Sequence, residues 1–171
     1  MCGRFGLFSS IELIRKILML DDTPDYTPHY NIAPTQPIAI VRRAPDSPQR
    51  EWLAARWGLI PRWAKGIDPR FSMINAKSET VFEKPAFRQA IKSQRCLIPA
   101  DGFYEWKKEG KHKQPFFFHL QSGQPFAFAG VWEEWQGPDA PILSCSILTT
   151  NANAVVAPCH DRMPVLLPAE A

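Results

Sequence analysis

No run of apolar residues approaches the ~20 that a membrane-spanning helix needs. The first residues also lack the basic region and apolar core of a secretory signal. No internal repeat, low-complexity tract or linker interrupts the 171 residues, so a single domain with a substantial core is expected. The four cysteines, Cys2, Cys96, Cys145 and Cys159, show no C-x-x-C spacing. That argues against a clustered zinc site and, in the reducing cytosol that the lack of a spanning run and of a secretory signal implies, against a disulfide framework. Cys96 and Cys145 stand in apolar stretches and read as small buried strand residues. Neither a metal nor an organic cofactor is expected. The chain also lacks a large charge excess: its net charge of +3 permits a polyanion partner without requiring one.

What is abundant is proline, at seventeen residues, and tryptophan, at six. Proline that frequent implies many turns and strand ends and few long helices. A capping box at Ser9 and Glu12 opens a helix whose stripe is Ile11, Ile14 and Leu18, and residues 21–24 end it. Strands are expected over 38–42, 52–59, 96–99, 102–106, 115–120, 126–132 and 143–149, with hairpin turns at 107–113 and 121–124. A short helix over 85–92 and a helical turn over 151–156 complete the pattern. With no β-α-β alternation, the fold class is α+β: a mostly antiparallel, barrel-like sheet with a few short helices.

The chemistry begins at the second residue. Removal of Met1 would leave Cys2 with a free α-amine beside its thiol. With ordinary values near ~8 and ~8.5, both groups are partly deprotonated at neutral pH. Such a 1,2-aminothiol condenses with an aldehyde to an imine and then closes a thiazolidine ring through sulfur. Alternatively, the amine serves as base for its own thiol, as in N-terminal nucleophile hydrolases. Glu105, framed by Tyr104 and Trp106, and His160, in a loop with Asp161 and Arg162, are acid-base candidates. Taken singly, each reads more readily as a solvated surface residue. Asn75 could position an amine or substrate, or cap a turn. Arg4, Lys77 and Arg162 are candidate phosphate ligands, with Trp57 and Trp63 as stacking surfaces or core.

Read together and in order, several segments resemble the SOS response-associated peptidase (SRAP) family. These are Met1-Cys2-Gly3-Arg4-Phe5, Tyr30-Asn31-Ile32-Ala33-Pro34-Thr35, Trp57-Gly58-Leu59-Ile60-Pro61, Asn75-Ala76-Lys77-Ser78-Glu79-Thr80, residues 96–106 and His160-Asp161-Arg162-Met163-Pro164. The resemblance implies a pseudo-barrel around a DNA-binding cleft and covalent capture of abasic sites in single-stranded DNA. Cys2 would be the nucleophile, Asn75 would hold the Cys2 amine and the sugar, Glu105 would act as general acid-base, and His160 would assist proton transfer. Arg4 and Arg162 would bind phosphates, and Pro34 and Trp63 would lie where the strand is splayed. Lys77 stands where the family usually has arginine, which keeps the charge and loses the bidentate fork. A monomer is expected, cytosolic and associated with the nucleoid when on DNA. The family's domain continues past the His160 motif, so a further C-terminal segment is expected beyond Ala171. Cysteine peptidase activity, with self-removal of Met1, is the competing expectation.

Overall fold

The computed structural model describes residues 2–68 and 73–167. Strand β1 (Phe5–Leu7) leads into helix α1 (Ile11–Leu18), followed by β2 (His29–Ile32), β3 (Pro37–Arg43), β4 (Arg50–Trp57) and β5 (Asn75–Lys77). Helix α2 (Ala90–Ser93) precedes β6 (Arg95–Ala100), β7 (Gly102–Glu109), β8 (His112–His119), β9 (Phe126–Gln136), β10 (Pro141–Asn151), β11 (Arg162–Pro164) and β12 (Leu166–Leu167). The chain is therefore α+β and dominated by strands.

Two sheets account for the strands. In the larger, β10, β4, β3, β6 and β9 pair in sequence, and β9 pairs back onto β10, closing a five-stranded barrel. The closure includes one parallel contact, Cys145 opposite Trp57, within an otherwise antiparallel ring. The smaller sheet runs β2-β1-β7-β8 and is wholly antiparallel. Residues 121–124 therefore do not close a hairpin: they carry the chain from the small sheet into the barrel, with Gly123 at φ 69°.

Helix α1 follows its apolar stripe, burying Ile14 and Leu18 and ending at Met19 in the left-handed conformation. Its cap, however, lies one residue later than the capping box implies. Ser10 accepts the Leu13 N–H, while the Ser9 N–H and hydroxyl both donate to the buried Asp101 carboxylate. The carboxylate also takes the Phe8 N–H, at 2.5 Å, so Asp101 outcompetes a local cap by offering acceptors for three donors.

The core is an aromatic plug. Phe5 meets Trp57 edge-on at 5.2 Å and Phe128 at 5.6 Å, while Phe103 stacks on Phe118 at 5.3 Å. Trp57 is wholly buried and so belongs to the core and is no stacking surface. Its neighbours place the functional segments. The indole N–H donates to the Ile74 carbonyl, and the Trp57 carbonyl accepts from Thr35 N–H. One tryptophan thus fixes the residue after Pro34, the residue before Asn75 and the strand that follows Arg4. Gly58, at φ 129°, turns the chain off β4 and donates to the Cys145 carbonyl, a conformation that a side chain would strain.

Candidate active site

Strand β10 is the organiser. Ile147 pairs with Gly130 on one edge and with Asn75 on the other. Further along, Thr149 pairs with both Lys77 and Pro164, and Asn151 with Arg162. Segments far apart in sequence, around Asn75 and around Arg162, therefore meet across one strand. On the opposite side, β1 pairs with β7 through Phe5 and Phe103, and the Tyr104 N–H donates to the Arg4 carbonyl. Continuing that antiparallel register brings Glu105 abreast of Gly3, beside Cys2.

Cys2 is fully buried. The Asn75 amide donates to the Cys2 carbonyl at 2.8 Å, and the thiol lies 4.0 Å from the Arg4 carbonyl. Burial, followed by the negative charge of Glu105, pushes the thiol from 9.0 up to about 12. This corrects the expectation from isolated values: inside the fold almost no thiolate exists at neutral pH. Glu105 is only 4% exposed, because its strand turns that face inward against the barrel, so the surface-residue alternative is excluded. Asn75 Oδ1 is buried and accepts no hydrogen bond among the described residues, although the same amide is fixed through its nitrogen.

A cleft of about 850 Å³ lies beside the segment that precedes Asn75. Thr35, Trp57, Ile60, Trp63, Met73 and Ile74 line it, whereas Cys2, Asn75 and Glu105 do not. Trp63 stands at the wall with 63% of its surface exposed, held on a loop where a planar ring is open to stacking. Lys65 and Arg56 supply positive charge along the same cleft.

The remaining candidates divide. Arg4 donates to Asn31 at 3.1 Å, while Lys77 is exposed two residues after Asn75. Arg162, in contrast, is 8% exposed and already engaged. Its guanidinium grips Glu79 bidentately at 2.8 Å and 2.8 Å, and also donates to Asn151 and to the Thr149 carbonyl. A phosphate approaching Arg162 would have to displace Glu79. The Arg162 backbone N–H donates to His160 Nδ1 at 3.0 Å, and Asp161 Oδ1 lies 2.8 Å from the same nitrogen. His160 is thus tied to the Glu79–Arg162 brace, and Cys2 with Asn75 and Glu105 forms the tighter cluster. The one sequence signal for Glu79 is its place two residues after Lys77 in the same short motif. Among the described residues no group of three His, Cys, Asp or Glu side chains could hold a metal.

The brace has a pH consequence. Hydrogen bonds from Arg162, chiefly, hold the Glu79 carboxyl at about 2, below its ordinary 4.5. A depressed carboxyl stabilises the fold above its ordinary value and loses that contribution as pH falls toward its folded one. Wild type should therefore lose thermal stability between about pH 4.5 and 2 more steeply than Glu79→Gln, an effect softened because Glu79 is 44% exposed. Parallel melting curves of the two proteins would show it, and identical pH slopes would remove the brace from the argument.

A buried thiol beside a carboxylate, its backbone carbonyl held by an amide, on an α+β pseudo-barrel with an open cleft nearby, is an arrangement suited to nucleophilic chemistry. The model of the family "SOS response associated peptidase (SRAP)" matches residues 1–171, and the chain belongs to that family. It is 45% identical over 172 residues to the Bacillus subtilis abasic site processing protein YoqW, covering 98% of this chain and 76% of that one. It is 31% identical to the mouse abasic site processing protein HMCES, covering 99% of this chain and 62% of HMCES. Among solved structures, a protein of Bordetella bronchiseptica superposes with a TM-score of 0.83 at 30% identity, covering 99% of this chain and 85% of the other. A protein of Bacteroides thetaiotaomicron gives a TM-score of 0.84 at 25% identity, covering 99% and 78%.

Proposed function

We propose that this protein recognises abasic sites in single-stranded DNA and traps them covalently through Cys2. The observation that carries the reading is the pairing of a fully buried, proton-retaining thiol with Glu105 and with an Asn75 amide already fixed on the Cys2 backbone. The relatives named as abasic site processing proteins support the same substrate.

The order of events follows from protonation. With the thiol held neutral, the α-amine of Cys2, once free of Met1, is the first nucleophile. It adds to the C1′ aldehyde of the ring-opened sugar and loses water to give an imine. Asn75 Oδ1, buried and lacking a partner among the described residues, is an acceptor suited to orienting that amine. The thiol then adds to the imine carbon: the S–H proton passes to Glu105 and on to the ring nitrogen as the C–S bond closes the thiazolidine. Amine, aldehyde and thiol are consumed and one water is released, so neither oxidant nor cofactor is required. His160, steadied through the Arg162 backbone, stands ready to move a proton at the sugar oxygen. The exposed Trp63, with Lys65, Lys77 and Arg4, suits a single strand, whose unstacked bases and phosphates both need partners. The protein would act as a monomer in the cytosol and join the nucleoid only through DNA.

The test mixes protein lacking Met1 with an oligonucleotide carrying one abasic site. Intact mass should rise by the oligonucleotide mass less one water, with no adduct on undamaged DNA. Absence of the adduct from folded, Met1-free protein would overturn the reading and favour peptide-bond hydrolysis by the same residues.

A further inference from the structure

We propose that the outward face of the small sheet is a stacking platform for the single strand flanking the captured nucleotide. The inference rests on the reading that this chain binds single-stranded DNA, and it concerns a surface outside the cleft. Tyr104 lies opposite Phe117 in the β7–β8 register, their rings 4.8 Å apart. Phe117 extends to His119 at 5.9 Å and to Phe8 at 6.2 Å, Phe8 stacks on Tyr30 at 4.8 Å, and Tyr104 reaches Trp106 at 6.4 Å. The row is open rather than buried: Tyr30 is 64% and Trp106 38% exposed, and His119 is exposed.

The floor beneath these rings is built for them. Gly6 and Gly102 pair across β1 and β7. A Cβ on Gly6 would press the Phe8 ring at 3.2 Å, and one on Gly102 would collide with the Phe117 ring and with the Phe118 carbonyl. Two facing glycines in adjacent strands weaken a sheet. Here they let the rings lie down on the backbone, presenting faces instead of edges. The charge pattern points the same way. Lys108 and Lys113 face each other directly on this side of the hairpin, with Lys111 and His112 at its tip. Like charges directly opposite cost stability, and a polyanion is the partner that turns that cost into attraction. The nearby acids do not cancel it: Glu105 points to the buried face, and Glu109 pairs with Lys107 on that other side. The platform is continuous with the active centre, since the Arg4 carbonyl accepts from Tyr104 N–H and the Arg4 side chain bridges to Asn31 of β2. Planar rings beside lysines and a neighbouring arginine are what a flexible strand of bases and phosphates binds.

The experiment measures fluorescence anisotropy of undamaged oligothymidines, one short enough to fill only the cleft and others extended by several nucleotides at the 5′ or the 3′ end. Wild type should bind one extended probe more tightly than the short one. Tyr30→Ala should erase about ten-fold of that gain, with Tyr30→Phe retaining it. The double variant Lys108→Gln, Lys113→Gln, which leaves the rings in place, should lower the salt dependence of the extended probe by about one to two charges. Crosslinking of a short abasic oligonucleotide should be unchanged in all three. Equal binding of short and extended probes, or full retention of the gain in folded Tyr30→Ala and in the lysine variant, would overturn the platform while adduct formation left the capture reading standing. Failure of wild type to form any adduct, with the length-dependent gain intact, would do the reverse.

Discussion

Cys2→Ala is expected to give no covalent adduct with abasic DNA under conditions where wild type is converted completely, while its affinity for undamaged single strands stays within about two-fold of wild type. Alanine keeps the α-amine, so this outcome needs its argument. An imine alone is reversible, and water removes it on denaturation; only addition of sulfur converts it to a ring that survives a denaturing gel. Cys2 carries the thiol that lies beside Glu105, so alanine removes the group that makes the second bond. Borohydride provides the control. Added during the reaction, it should trap the Cys2→Ala imine as a stable secondary amine at reduced yield. Adduct stable without borohydride from Cys2→Ala would remove the thiol from the chemistry. Loss of the borohydride product as well would mean that the variant no longer presents its amine, and the comparison would then pass to Cys2→Ser, which keeps a polar atom at the γ position.

The barrel strands were legible because they combine β-branched and aromatic residues with proline and glycine boundaries. The segments 38–42, 96–99 and 126–132 all fall within observed strands. What escaped were the short ones. β1, β5 and β11 have three residues each, too few for periodicity to register, and they exist because β10 and β7 offer them unpaired edges. These same strands carry or adjoin Cys2, Asn75, Lys77 and Arg162, so the site is assembled by long-range pairing and its identity came from ordered motifs instead. The capping box failed for a related reason: Ser9 is claimed by Asp101, ninety-two positions away. Trp57 and Trp63 look alike in sequence, yet one is 0% and the other 63% exposed. The thiol's raised value is not legible in the sequence, because burial and the neighbouring Glu105 arise only on folding.

Glu105→Gln is the substitution that decides what the carboxylate does, since its two possible roles predict opposite signs. Glutamine keeps the shape and the hydrogen-bonding reach of the side chain but neither takes up a proton at working pH nor carries charge. If Glu105 receives the thiol proton during ring closure, single-turnover adduct formation should slow by about 10²- to 10⁴-fold. If Glu105 acts only through its charge, removing it should help. The carboxylate is the second cause, after burial, of the thiol's climb to about 12, so its loss must move the thiol back down toward 9.0. More thiolate would then exist at any given pH, and closure would accelerate. Thiolate absorbance during a pH titration of each protein, with Cys96, Cys145 and Cys159 replaced by serine or alanine as background, reads the shift directly; burial keeps it from returning fully to the ordinary value. The expected pair of results is a thiol that ionises at lower pH and a reaction that is nonetheless slower. A slower reaction means the proton's destination outweighs the supply of thiolate, and places Glu105 in the transfer itself. A faster one would reduce it to a neighbouring charge and leave His160, tied to the Arg162 backbone and through it to Glu79, as the remaining proton carrier.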